Sequence, residues 1–293
     1  MAQDKVQPTN DLMYKKTFAS NGNEDITIGL IHDFFGLMPK KLIFKMPYSI
    51  DAYRELVEKK EISTLRQSIK DVSASMITAD FIGELQMKKL RYFDERFFLY
   101  LCDDYRSNYN EAEKMAKIVA EAKAKGITPR VNRYSSLKPV YQLIILGENH
   151  YTDEHPLRIF EPYDPKRELR PDRKLFKQAY FELGKDKAKL ETANQRYWHD
   201  YFVSGEVATS APAYIQRAVE LLAVSSLSKE EREVMSLVER AVADYEADMA
   251  DAEYEAECRI ARRLLNMGMS HDNIQKATGL ELGEIENLAA QSV

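Results

Sequence analysis

Cysteine is nearly missing from this sequence: of 293 residues, only Cys102 and Cys258 carry a thiol. They stand far apart and no C-x-x-C pair occurs, which excludes a disulfide framework and a zinc knuckle and makes a reducing compartment the simplest expectation. No apolar run approaches the ~20 residues that span a bilayer. The longest candidate, Tyr141 to Leu146, suits a buried strand instead. The opening stretch MAQDKVQPTNDLMYKK lacks the apolar core of a signal peptide, so a cytoplasmic protein with no membrane partner is expected. Positive charge is not in excess either. Lys and Arg number 42 against 47 Asp and Glu, a net charge of -5, so no global basic field draws in nucleic acid and any such contact must come from local patches. There is no Gly-rich phosphate loop, no G-x-S-x-G, and no Cys-His pairing beside a candidate nucleophile.

What is present is a soluble, well-mixed chain, 44% hydrophobic and 30% charged, long enough for one large domain or two small ones. Apolar periodicity predicts a helix from about Asp11 to Ser20, with Asn10 or Asp11 as its cap. A second helix, rich in Ile26, Leu30, Ile31 and Phe34, stops at Gly36. A long helix follows from about Lys89 to Lys125, where Leu90, Phe93, Phe97, Leu101 and Tyr105 recur at spacings of three and four. Pro139 to Gly147 reads as a fully buried central strand, and Leu157 to Phe160 as a further one. The stretch 161–174 (EPYDPKRELRPDRK) is dense in proline and charge and reads as a boundary, with a helical pattern after it. Ser228-Lys229-Glu230-Glu231 is a capping box opening a helix. Short helical pieces around Ile260–Leu265, Asp272–Thr278 and Gly283–Ala290, separated by Gly268 and Gly279, close the sequence.

The period changes between Ser63 and Gln86. Ser68 to Ala74 and Ala79 to Gln86 read as adjacent strands of a hairpin bending near Met76 to Ala79. Alternation puts Ile82, Glu84 and Gln86 on one face of the second strand, and Phe81, Gly83 and Leu85 on the other. Asp71 on one strand and Glu84-x-Gln86 on its neighbour could converge on a hard cation, which takes carboxylate and water ligands. Such an ion polarises a phosphoryl oxygen and acidifies a water nucleophile. Gln86, two residues along, shares the face of Glu84 and can orient that water, although it carries no charge. The spacing alone is equally compatible with a solvated strand face.

The surroundings carry a resemblance. Asn10-Asp11-x-x-Tyr14-Lys15-x-x-Phe18 looks like an opening D-x-x-F-K-x-x-F helix. Asp71-Val72 matches a first strand, and Glu84-Leu85-Gln86 an E-x-Q triplet. Tyr134-Ser135-Ser136-Leu137-Lys138-Pro139-Val140 resembles a Y-x-x-L-x-P-V segment before a buried strand. Ala261 to Leu288 is similar to a small C-terminal helical module. In this order the motifs resemble the Rpn family of recombination-promoting nucleases, within the PD-(D/E)XK superfamily. The resemblance implies an α/β, restriction-endonuclease-like core over 1–165, with a mixed central sheet flanked by helices. An α-helical region over 166–293 would follow, with its small module near 256–290. It implies a Mg²⁺-dependent DNA endonuclease, Mn²⁺ substituting, with a role in recombination or transposition. Asp71 and Glu84 would be catalytic metal ligands, the Leu85 carbonyl an extra ligand, Gln86 the water-orienting group, and Asp11 a holder of a second metal or of the water shell. The chain departs from the family in the apolar turn Ser75-Met76-Ile77-Thr78 and in the long insert between Gly36 and Ser68.

Other features have a plainer reading beside the functional one. Lys88, Lys89, Arg91 and Arg96 are phosphate contacts or a solvated helix face. Lys166, Arg167, Arg170, Arg173 and Lys174 are a DNA-touching linker or an ordinary charged connection. His150 and His155 read as a surface turn, Trp198-His199 as packing, and Asp103-Asp104 as a solvent face or ion pairing. The last helix carries Glu281, Glu284 and Glu286 and neither Lys nor Arg, so packing or homo-oligomerisation is expected of the module in preference to helix-turn-helix reading of DNA. The neutral Gln86 and acidic balance leave a rival reading: a nuclease fold kept as a weakly catalytic DNA-binding, regulatory or protein-interaction module.

Overall fold

The computed structural model describes residues 5–59, 72–88, 91–124 and 137–290. The chain forms two compact units, Met1–Ser49 with Ser68–Lys229, and Ile50–Gln67 with Glu230–Val293.

The first unit is built on a six-stranded sheet. Its strands are β1 (Leu42–Phe44), β2 (Val72–Met76), β3 (Asp80–Gln86), β4 (Val140–Leu146), β5 (Leu157–Phe160) and β6 (Phe176–Glu182), in the spatial order β1-β2-β3-β4-β6-β5. The expected hairpin is β2 and β3, antiparallel with Val72 opposite Gly83 and Ser75 opposite Asp80. β3, β4 and β6 run parallel, and the edge pairings β1–β2 and β5–β6 are antiparallel. The sheet is therefore mixed and flanked by helices, as expected. β4 is buried along its whole length. Its Val140, Leu143, Ile144 and Ile145 are fully enclosed, and each such side chain contributes about 1.5–3 kcal/mol of burial.

One face of the sheet is covered by α1 (Asp11–Ala19), α2 (Glu24–Phe35), α5 (Ala193–Ser204) and α6 (Ala213–Leu221). Asn10 caps α1 by accepting from the Met13 N–H at 3.3 Å, which leaves Asp11 in the first turn. α2 stops at Gly36, whose φ of 68° only glycine adopts without strain. Tyr14, Phe18, Trp198, Tyr201 and Phe202 pack with ring centroids 5.0–6.3 Å apart. Trp198-His199 is thus a packing pair, as expected. The buried Asp33 carboxylate ties α2 to α5 and α6: it accepts from Trp198 Nε1, Tyr214 Oη and Asn194 Nδ2, each at 2.9 Å. The long helix α4 (Phe93–Ala124) covers the other face. Its Phe93, Phe97 and Leu101 meet Ile82, Ile144, Leu146 and Tyr180 of the sheet.

The sheet continues beyond residue 165, where only helix was expected. β6 lies between β4 and β5, so 161–174 joins two paired strands instead of separating two domains. FKQAYFE reads poorly as a central strand because it carries Lys177, Gln178 and Glu182. Inside the sheet Gln178 donates to Gln142 at 2.9 Å and Glu182 is fully hydrogen-bonded.

The second unit is helical: α3 (Ile50–Glu58), α7 (Lys229–Asn266), α8 (His271–Thr278) and α9 (Leu282–Ala290). α7 runs on through the piece expected to stand alone at Ile260–Leu265. Along α7 Val234 is buried, while Leu237 and Met249 are about half exposed. Cys258, Ala261, Ile274, Leu280, Ile285 and Leu288 form a small core among the last three helices. Gly268 and Gly279, at φ 75° and 80°, make the turns between them.

Candidate active site

Parallel strands carry ligands outside their carboxyl ends, and β3, β4 and β6 end in one row. Gln86 is in register with Leu146, and Leu146 with Glu182. Glu84 lies one step inside this row, opposite Ile144, and is 3% exposed. Alternation places it with Ile82, hence on the face covered by α4. Leu85 pairs with Ile145.

The Gln86 amide is held from two sides. Its Nε2 donates to the Lys88 carbonyl at 2.9 Å, and its Oε1 accepts from Arg96 Nη1 at 3.3 Å. Arg96 also donates to Tyr100 Oη at 2.7 Å and lies over the Phe97 ring, so it belongs to the packing around Gln86 instead of an open phosphate-binding face. Next to the amide is a niche of about 10 Å³ bounded by Gln86, Lys88, Glu148 and His150, about the space one water needs.

Of the other expected site residues, Asp71 lies outside the described residues, as do Lys89, Leu90 and Tyr134 to Ser136. Val72, its neighbour in sequence, pairs with Gly83, the neighbour of Glu84. Asp11 opens α1 and pairs with Lys15 at 3.8 Å. α1 reaches β3 at Gly83, where a Cβ would fall 2.8 Å from Tyr14 Oη. That contact is on the Phe81–Leu85 face, opposite the one alternation gives Glu84. Among the described residues no three His, Cys, Asp or Glu side chains gather as a metal-binding group.

Sequence reasoning missed the buried charges around this row. Glu182, fully enclosed, accepts from the N–H groups of His150 and Tyr151 at 2.6 and 2.9 Å and from Lys185 Nζ at 2.7 Å, and it pairs with Arg158. Burial pushes its carboxyl up, yet Lys185, the two N–H groups and Arg158 outweigh burial and hold it below the usual carboxylate range. This pins the loop after β4 across the row. His150 is therefore no plain surface turn: its Nε2 is 3.2 Å from Asp94 Oδ2 and its ring stacks on Tyr180. At the other end of β3, Asp80 and Asp104 share Lys45. Its Nζ donates to Asp80 Oδ2 at 2.6 Å and to both Asp104 oxygens at 3.1 Å. Ser75 Oγ donates to Asp80 Oδ1 at 2.9 Å. Asp80, on the same face as Glu84, is thus satisfied by Lys45 and is structural. Only the recurrence of Asp80, Glu84 and Gln86 at even spacings could have flagged it.

A mixed sheet with α4 on one face, bearing a buried glutamate and a glutamine at the carboxyl end of β3, is the α/β class that the motifs implied. Residues 255–290 match the C-terminal HTH domain of the Rpn/YhgA-like nuclease family. The match supports the resemblance at its C-terminal module, which is similar to that family's helix-turn-helix domain. It favours the DNA-binding reading of this module and lends no support to oligomerisation through it. No curated protein and no solved structure matches the chain. Among the described residues no helix is long and apolar enough to cross a membrane.

Proposed function

We propose that the chain is a metal-dependent DNA endonuclease of recombination or transposition, with Glu84 and Asp71 as carboxylate ligands and the Leu85 carbonyl beside them. Gln86 orients the attacking water, while Asp11, paired with Lys15 on the α1 side of the sheet, is given no part in it. Mg²⁺, or Mn²⁺ in its place, would supply phosphoryl polarisation and an acidified water when bound. The observation that carries the reading is the placement of Glu84 and Gln86 on one strand face, at the shared carboxyl ends of β3, β4 and β6, with a water-sized niche against Gln86. The Glu84 carboxylate is a hard oxygen donor of the kind such an ion takes.

Purified full-length chain with Mg²⁺ is expected to nick supercoiled plasmid. Glu84→Ala and Asp71→Ala are each expected to abolish nicking, and parental nicking by both would sink the assignment. One observation favours a second reading, a DNA-binding module with little catalysis: both polar ends of the Gln86 amide are engaged, by Lys88 and Arg96. Mn²⁺ binding that disappears in Glu84→Ala, in a chain that never cuts, would establish that reading. Gln86→Lys separates the two further. If it leaves an inactive chain inactive, the missing charge at this position is not the cause.

A further inference from the structure

Between α4 and the edge pair β5–β6 lies a cleft of about 460 Å³, unlike the Glu84 site in its chemistry and lined largely by aromatic rings. Tyr151, Phe160 and Tyr180 form one wall. Tyr151 and Phe160 each meet Tyr180 nearly perpendicularly, at centroid distances of 5.6 and 5.7 Å, so the three rings fix one another. Phe98 and Phe176, 6.3 Å apart, form the other. Phe98 and Phe160 remain 51% and 43% exposed, so flat apolar faces are offered to a ligand. The volume is within the range of small-molecule sites, roughly 300–1,000 Å³.

The charge around the cleft selects among flat ligands. The basic connection 161–177 both leaves and re-enters at the cleft, since Glu161 and Phe176 line it. Glu161 is neutralised there by Arg170 at 2.5 Å and Lys177 at 3.1 Å. The connection folds back on itself, with Asp164 and Leu169 exchanging backbone hydrogen bonds of 2.8 and 3.3 Å. Along it Lys166, Arg167, Arg173 and Lys174 stand exposed. Rings that take a planar group, beside exposed cations that take phosphates, are the two halves of a single-strand site. Asp94 and Gln178 add hydrogen-bonding groups for the polar edge of the planar group.

We propose that this cleft holds an unstacked base of single-stranded DNA, with the 161–177 connection on the flanking phosphates. The inference rests on the DNA reading above and adds a substrate class to it: DNA that is single-stranded or frayed next to the cut. Each stacked base is worth about 1–3 kcal/mol, a factor of roughly 5 to 150 in affinity.

The test is fluorescence anisotropy of the full chain carrying Glu84→Ala, with a labelled oligothymidylate, the same strand with abasic sites, and a blunt duplex. The expected result is tighter binding of the oligothymidylate than of the abasic strand. Phe98→Ala/Phe160→Ala, two exposed positions, should erase that preference, with a loss of about 5-fold or more, while duplex affinity and the circular dichroism spectrum stay unchanged. Arg173→Ala/Lys174→Ala should weaken both strands alike and flatten the salt dependence. Preference for the base that survives Phe98→Ala/Phe160→Ala overturns the cleft and leaves the DNA reading standing. So does plasmid nicking by the parent without single-strand binding. A chain that neither nicks nor binds any DNA overturns both. Concentration-dependent self-association that these substitutions abolish, without a change in DNA binding, overturns the proposal in favour of a second copy of the chain.

Discussion

Lys45→Met should unfold the sheet-bearing unit more readily than any surface change, because it strands two buried carboxylates. Asp80 is 0% and Asp104 2% exposed, and the Lys45 ammonium reaches both within 3.1 Å. At an effective dielectric of about 20 the two contacts are worth about 5–6 kcal/mol each of Coulomb attraction, against which desolvation of all three groups stands. Removing one partner of such a set typically costs about 3–5 kcal/mol. Ser75 at 2.9 Å and Lys138 at 3.9 Å still face Asp80, so the lower end, about 3 kcal/mol, is expected. The chain has a single tryptophan, Trp198, fully buried in the same unit, so its fluorescence during urea unfolding reports this unit by itself. The double variant Lys45→Met/Asp80→Asn should be less destabilised than the sum of the singles, because the second change removes one stranded charge. A Lys45→Met chain within about 0.5 kcal/mol of the parent, or strictly additive singles, would refute the claim that these charges hold one another.

Gly83→Ala places a methyl 2.8 Å from Tyr14 Oη. It should cost about 1–3 kcal/mol in urea unfolding, and Tyr14→Phe, which removes that oxygen, should recover part of it. The fold should also weaken on the acid side. Glu182 is held below its ordinary 4.5, so its contribution is fully present above pH 4.5 and is lost as pH falls through the lower folded value. His199 is held below 6.5 by burial, so its contribution is complete above pH 6.5 and is likewise lost as pH falls through its folded value. Thermal melting against pH should therefore slope downward below 6.5 and again below 4.5. His199→Gln should remove the first slope and Glu182→Gln the second, and slopes that survive both changes would assign them to other groups.

The parts of the fold that were legible are those where one face is apolar throughout. β3 alternates cleanly, β4 is apolar in nearly every position, and α4 repeats at three and four, so periodicity sufficed. β6 was not legible because its polar letters find partners only after folding: Gln178 in Gln142, Glu182 in Lys185, Arg158 and two backbone N–H groups. Long separation hid the other buried charges. Lys45 and Asp80 are 35 residues apart, Asp33 and Trp198 165 apart, and no local pattern links them. Glu84 and Gln86 were legible through their spacing, and the structure supplied what spacing could not: the row of strand ends they belong to. The state of the Gln86 amide was out of reach for the same reason as β6, since Arg96 sits on a different element.

Charge placement constrains how the helix-turn-helix domain can meet DNA. α9, its last helix, exposes Leu282, Glu286 and Asn287, and carries neither Lys nor Arg. A major-groove reader of that composition would face phosphates with repulsion alone. The cations of 255–290 are elsewhere: Arg259, Arg262 and Arg263 stand exposed near the end of α7, Arg259 paired with Glu255 at 3.7 Å, and Lys276 stands exposed on α8. If this domain binds DNA, these residues must supply the phosphate contacts. Arg262→Ala/Arg263→Ala should then lower the slope of log affinity against log salt by up to about 0.9 for each phosphate no longer neutralised. Glu286→Gln should leave that slope unchanged or raise the affinity. An unchanged slope in the double arginine variant, with DNA binding intact, would place the phosphate contacts outside this domain. The basic connection 161–177, the densest basic stretch of the sequence, is then the next place to test, and Arg173→Ala/Lys174→Ala should lower the slope in its place.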